Sequence, residues 1–127
     1  MVVLDTCIII DHLRQTKGHS LLRRFISRYS EESLALSVVS VQELYQGRST
    51  RDSDDENFLL STISPLRLLP YNFEVAQTSG ILVRDLSRPI GLADAAIAAT
   101  AILNDAKLLT LDKKDFLGIK ELQFWKS

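Results

Sequence analysis

The chain reads as an α/β fold with a central, mostly parallel sheet and helices on both faces. Two observations predict this. Short apolar strands alternate with helices along nearly the whole chain, which is how parallel strands joined by helical crossovers read. Acidic residues also recur just past predicted strands or in the first turn of a helix, the edge where such sheets bind ligands. With 127 residues the chain predicts a single domain, 1–127. That length can bury a core without staples.

Composition narrows the class. At 46% hydrophobic and 24% charged residues, the chain fits a soluble globular protein. No apolar run is long enough to cross a bilayer, so no membrane role is expected. Val2-Val3-Leu4 has no basic flank and is interrupted by Asp5, unlike a signal peptide. A single cysteine, Cys7, permits no internal disulfide and fits a reducing, cytoplasmic setting; beside Ile8-Ile9-Ile10 it reads as a small buried hydrophobe.

In chain order, Val2-Val3-Leu4 is a buried strand ending at Asp5. Thr6 to Gln15 is a helix with Ile9, Ile10 and Leu13 turned inward, and Asp5 suits its N-cap. Ser20 to Ser30 is a second helix, with Leu21, Leu22, Phe25, Ile26 and Tyr29 at helical spacing. Leu34 to Val38 alternates as a strand. Ser40-Val41-Gln42-Glu43 then reads as a capping box opening a helix that Gly47 ends. Ser49 to Asn57 is a solvated turn into a helix ending near Ser64-Pro65. Arg67-Leu68-Leu69 is a strand, and Asn72 caps a long helix with Val75, Ala76, Leu82, Val83 and Leu86 on one face. Lys107 to Thr110 is a strand, and Leu122 and Phe124 alternate in a last one.

The stretch from Gly91 to Leu103 is alanine-rich, apolar all round and carries one charge, Asp94. An all-apolar helix is a buried helix. Asp94 shares a face with Ile97, Ala98 and Ala101 and is expected to point inward. A buried carboxylate is costly unless paired, protonated or bound to a metal. A local account exists too, since an acid in the first turn interacts well with the helix dipole. Asp5, Glu43 and Asp112 likewise have local accounts as caps. Their coincidence on one sheet edge is the stronger signal.

Clustered carboxylates resist ionising together. Hard divalent cations such as Mg²⁺ or Mn²⁺ resolve that conflict, and two such ions can support in-line phosphoryl displacement. His12 and His19 are the only histidines, and no zinc spacing, nucleophile elbow or glycine-rich phosphate loop is present.

Four motifs occur in this order: Asp5-Thr6, Ser40-x-x-Glu43-Leu44, Gly91-Leu92-Ala93-Asp94-x-x-Ile97-Ala98-Ala99-Thr100-Ala101 and Thr110-x-Asp112. Over essentially the whole chain they resemble PIN domains, most closely VapC-type toxins of toxin–antitoxin pairs. The resemblance implies a three-layer PIN-like fold and a Mg²⁺- or Mn²⁺-dependent endoribonuclease held inactive by an antitoxin, with homodimerisation expected. It carries over Asp5, Glu43, Asp94 and Asp112 as catalytic metal-site acids and Asp115 as an accessory acid. Thr6 and Thr110 are supporting hydroxyls. Cys7 departs from the pattern, because many relatives carry Asn after Asp-Thr.

The net charge of −1 does not by itself point to nucleic acid. Setting four of the 16 acids aside for a metal centre leaves 12 against 15 basic residues, which is permissive for a polyanion. Arg48, Lys113 and Lys114 are the RNA-contact candidates, being near the acids in sequence; Arg14, Arg84 and Arg88 are further basic candidates. Two other readings stay open. One is a non-enzymatic binding module whose acids are caps. The other is a DNA-cleaving nuclease with the same metal chemistry, since contacts to a 2′-hydroxyl are not legible in sequence. An antitoxin groove is expected between the second and fourth helices.

Overall fold

The computed structural model describes residues 1–15, 18–48 and 50–126. Ser49, where the polar segment was expected to start, lies outside them. Four strands form one parallel sheet in the order β3-β2-β1-β4: β1 Val2–Leu4, β2 Leu34–Ser37, β3 Arg67–Leu69 and β4 Lys107–Leu109. Six helices connect them: α1 Thr6–Arg14, α2 Leu21–Arg28, α3 Val38–Gln46, α4 Ser53–Ile63, α5 Phe73–Asp85 and α6 Leu92–Leu103. A 3-10 turn, Lys113–Phe116, follows β4.

The N-terminal strand is central. Val3 pairs with Ala35 on one side and Leu108 on the other, and all three strand residues of β1 are fully buried. Alternation divides them between two cores, as strand geometry requires. Val3, Ala35 and Leu108 join Ile97, Ala98 and Ala101 of α6 on one face. Val2, Leu4, Leu36 and Leu109 join Ile8, Ile9, Leu22, Phe25 and Leu44 on the other. Three layers result, as expected.

Every residue of α6 from Ala95 to Ala101 is buried, packed against α5, α3 and strands β1, β2 and β4. Alanine methyl groups allow that crowding, because a larger residue would overfill a close-packed interior. The one buried hydroxyl in this run, Thr100 Oγ1, donates to the Ala96 carbonyl at 2.7 Å.

Several expectations are corrected. Strand β2 ends at Ser37 rather than Val38, and Ser37 itself caps α3, its hydroxyl accepting from Val39 N at 3.2 Å. The chain passes from strand to helix without a loop, so Ser40 lies inside α3 and the capping box with Glu43 does not form. The inward face of α5 runs through Val75, Ser79, Leu82 and Leu86, while Ala76 and Val83 are exposed. Ile26 is likewise exposed. Leu122 and Phe124 make no strand; Phe124 forms a single parallel bridge with Leu108. Among the described residues, no helix is long and apolar enough to cross a membrane.

Candidate active site

The carboxyl end of β1 lies at the middle of the sheet edge, and Asp5 occupies it. Its backbone N–H donates to the Leu109 carbonyl at 2.9 Å, tying it to β4. The side chain is only 6% exposed. Burying an unpartnered carboxylate is costly, so its donors matter. Thr6 N donates to Oδ1 at 2.9 Å, and the Thr110 hydroxyl donates to Oδ2 at 2.7 Å. The Cys7 thiol donates to Oδ2 at 3.3 Å. Asp5 is therefore both the N-cap of α1 and part of the site. Burial still outweighs the donors and raises its pKa above the usual carboxylate value.

Glu43 arrives from α3. Thr6 Oγ1 lies 2.6 Å from Glu43 Oε1 and donates to it, and stands 2.8 Å from the buried Ser40 hydroxyl. Thr6 thus couples α1 to α3, giving both expected threonines hydroxyl contacts to an acid. Asp94 sits in the first turn of α6, whose N-cap, Gly91, has no side chain to cap with. Burial pushes the Asp94 carboxyl up to about 6, helped by the charges of Asp5, Asp115 and Glu43 in that order, against a smaller pull from Arg88. Asp112 follows β4, its N–H donating to the Thr110 hydroxyl at 3.0 Å.

Asp5, Glu43, Asp94, Asp112 and Asp115 all line one cavity of about 300 Å³, together with Thr6, Cys7 and Gln46. Asp115, expected as an accessory, acts on both Asp5 and Asp94, whereas Asp112 is not among the principal influences on either. The donors are carboxylate oxygens; Cys7 is held as a neutral thiol by burial, its pKa pushed up to about 11. That donor set fits a hard divalent cation and not a thiolate- or imidazole-seeking one. Among the described residues no three Asp, Glu, His or Cys side chains stand together at ion-holding spacing.

Other basic candidates distribute around the cavity rather than within it. Arg48 lines a larger neighbouring groove of about 480 Å³ that shares Ile10 and Glu43 with the acid cavity. Lys113 lines a cleft on the other flank, and Lys114 is exposed. Arg84 is paired with Asp85 at 2.7 Å. Arg88 is engaged internally: it donates to the Asp115 carbonyl at 2.9 Å, to Leu117 at 2.8 and 3.0 Å and to Pro89 at 3.0 Å.

Four contributors were not assigned from sequence. Cys7 is half-buried, packing against one core as expected while also lining the acid cavity, and Leu111 N donates to its sulfur at 3.4 Å. Ser40 and Gln46 flank Glu43 at three-residue spacing on one face of α3, a periodicity that could have found both. Arg88 carried no sequence signal for its role, since carbonyl partners are not encoded by residue type.

Residues 2–122 match the PIN domain family. Two relatives from Mycobacterium tuberculosis are similar over their length. Ribonuclease VapC10 is 33% identical, covering 97% of this chain and 91% of its own. Ribonuclease VapC19 is 31% identical, covering 97% and 98%. This chain is a PIN domain of the VapC type. Solved structures agree on the fold. DNA-bound VapBC from Salmonella typhimurium superposes with a TM-score of 0.82 at 24% identity over 98% of this PIN chain and 96% of that chain. VapBC2 from Rickettsia felis, bound to a promoter fragment, gives 0.81 at 23% identity over 99% and 100%.

Proposed function

We propose that this PIN domain is a Mg²⁺- or Mn²⁺-dependent endoribonuclease, the toxin of a toxin–antitoxin pair, acting in the cytoplasm. The observation that carries the reading is the convergence of Asp5, Glu43, Asp94, Asp112 and Asp115 on one cavity. The ribonuclease names of its relatives and the toxin–antitoxin complexes among its structural neighbours support it.

Asp5, Glu43, Asp94 and Asp112 would hold the cation, with Asp115 beside them. When bound, the ion supplies a polarised water and charge stabilisation at the cleaved phosphodiester. The chain's own residues prepare that site. Thr110 and Thr6 fix the rotamers of Asp5 and Glu43 through short hydroxyl contacts. Arg88 fastens the turn that bears Asp115. Asp94, its carboxyl pushed up to about 6 by burial and the neighbouring acids, holds its proton over a wider acid range than a free aspartate and is mainly ionised above neutrality.

The antitoxin is a protein partner that would cover apolar surface beside the site. A cavity of about 300 Å³ edged by Leu22 and Ile26 of α2 and Thr62 of α4 supports a groove between those helices as its seat. Exposed Phe73, Leu92 and Leu117 support self-association as a homodimer.

The test incubates purified protein with RNA and with DNA, with Mn²⁺, Mg²⁺ or EDTA. Cation-dependent cleavage of RNA, absent from folded Asp94→Asn, is the expected result. Unchanged cleavage by Asp94→Asn removes the assigned site, and cleavage of DNA alone removes the ribonuclease reading.

A further inference from the structure

We propose that the cleft flanking the acid cavity, lined by Arg24, Arg28, Tyr29, Thr110, Lys113 and Trp125, is a subsite for single-stranded RNA. It rests on the ribonuclease reading and adds where the strand lies as it leaves the acids. The cleft encloses about 390 Å³ and has no carboxylate among its lining residues. Among the described residues the ion pairs are Met1 with Glu32 and Arg84 with Asp85, and neither involves Arg24, Arg28 or Lys113.

Thr110 is the wall between cleft and acids: it lines the cleft while its hydroxyl reaches Asp5 at 2.7 Å. The acid cavity repels a phosphate backbone, and cations on its flank oppose that repulsion where a strand must approach. Rings accompany the charges. Phe25, Tyr29 and Trp125 pack with centroids 4.9–5.0 Å apart. Arg28 lies 5.6 Å over Tyr29, Lys107 5.7 Å over Trp125 and Lys113 5.6 Å over Phe124. Tyr29 and Trp125 are both partly exposed. Cations beside partly exposed rings are what single-stranded nucleic acid uses, phosphates on the charges and bases on the rings. The Trp125 indole N–H is, in addition, the one buried side-chain donor among the described residues without an acceptor. Charge alone would also suit an acidic peptide; the rings and the continuity with the acids favour RNA.

Trp125 is the only tryptophan, so its emission reports this cleft. The experiment titrates the protein in EDTA with a short oligouridylate, following Trp125 emission and the anisotropy of a label on the RNA. The expected result is saturable quenching that tracks the anisotropy. Arg24→Ala/Arg28→Ala should weaken binding at least tenfold and lower the salt slope by about 1.4, at roughly 0.7 per single-strand phosphate contact. Both arginines are exposed, so the fold should persist.

Binding seen by anisotropy with unchanged emission, or equal binding by the double variant, overturns the proposal. So does the absence of any binding, or tighter quenching by oligoglutamate than by RNA. A parallel reaction with Mn²⁺ separates the two readings. No cleavage by the wild type sinks the ribonuclease reading whatever the cleft does, whereas cleavage with an unaltered KM in the double variant sinks only the cleft.

Discussion

The Thr110 hydroxyl donates to Asp5 Oδ2 at 2.7 Å, joining residues 105 apart in sequence. Thr110 Oγ1 in turn accepts from Asp112 N at 3.0 Å, so one side chain orders acids on two elements. Thr110→Val keeps the shape and deletes both contacts. Removing a donor from a buried carboxylate costs about 1–3 kcal/mol. The variant should melt several degrees lower and cleave RNA at least tenfold more slowly, with Thr110→Ser recovering most of both. Calorimetry and a cleavage time course check this; a wild-type rate in Thr110→Val would contradict it.

Asp94 gives a pH dependence of definite sign. Its folded-state pKa of about 6 exceeds the 3.8 of an unperturbed Asp. A raised acid contributes stability that is full below the unfolded pKa and is lost as pH rises through the folded one. Between about pH 4 and 6, metal-free wild type should lose stability that Asp94→Asn does not. At pH 7.5 the variant should be more stable by about 1 kcal/mol, after discounting for the partial exposure of the group. Urea denaturation in EDTA at both pH values measures the difference. An Asp94→Asn protein less stable at pH 7.5 would refute the crowded-acid picture.

Arg88 is a positioning residue, spending its guanidinium on the carbonyls of Asp115, Leu117 and Pro89. Lysine cannot reproduce that fork. Arg88→Lys should raise amide exchange across Lys113–Gly118 while leaving α6 protected. The Mn²⁺ concentration needed for half-maximal cleavage should rise severalfold. Unchanged exchange in the turn would leave Arg88 without that role.

Cys7 should be chemically quiet. With a pKa near 11, about a thousandth of the thiol is ionised at pH 8, against roughly a quarter of a free cysteine. Alkylation by iodoacetamide in the folded protein should be at least tenfold slower than in urea. Cys7→Asn, placing a stronger donor beside Asp5, should retain cleavage.

Strand and helix order was legible because β1, β2 and β4 are short apolar runs and α6 is apolar all round. The carboxylate set was legible because each member ends a strand or opens a helix, apart from Glu43. Glu43 lines the cavity with the other acids, although the capping box that offered a local account of it does not form. Ser40 and Glu43 match a capping box letter for letter, yet Ser37 starts α3 first and leaves Glu43 free to accept from Thr6. The faces of α5 were misjudged at Ala76 and Val83, since apolar type alone does not say which neighbour a helix turns toward. The last strand was overcalled because two alternating residues supply a pattern but not the pairing length of a strand. Arg88 was illegible for a different reason: its partners are main-chain oxygens, which every residue carries.

The sheet order has a consequence for synthesis. Strand β1 leaves the ribosome first yet needs β4, near the other end of the chain, as its second neighbour. Contacts of such sequence separation form late and carry a closure cost. A nascent or prematurely terminated chain ending before Lys107 would hold Asp5, Glu43 and Asp94 but neither Thr110 nor Asp112. Assembly of the acid cavity would therefore wait until β4 and the turn after it have been made, so a copy truncated before them would lack part of the candidate site.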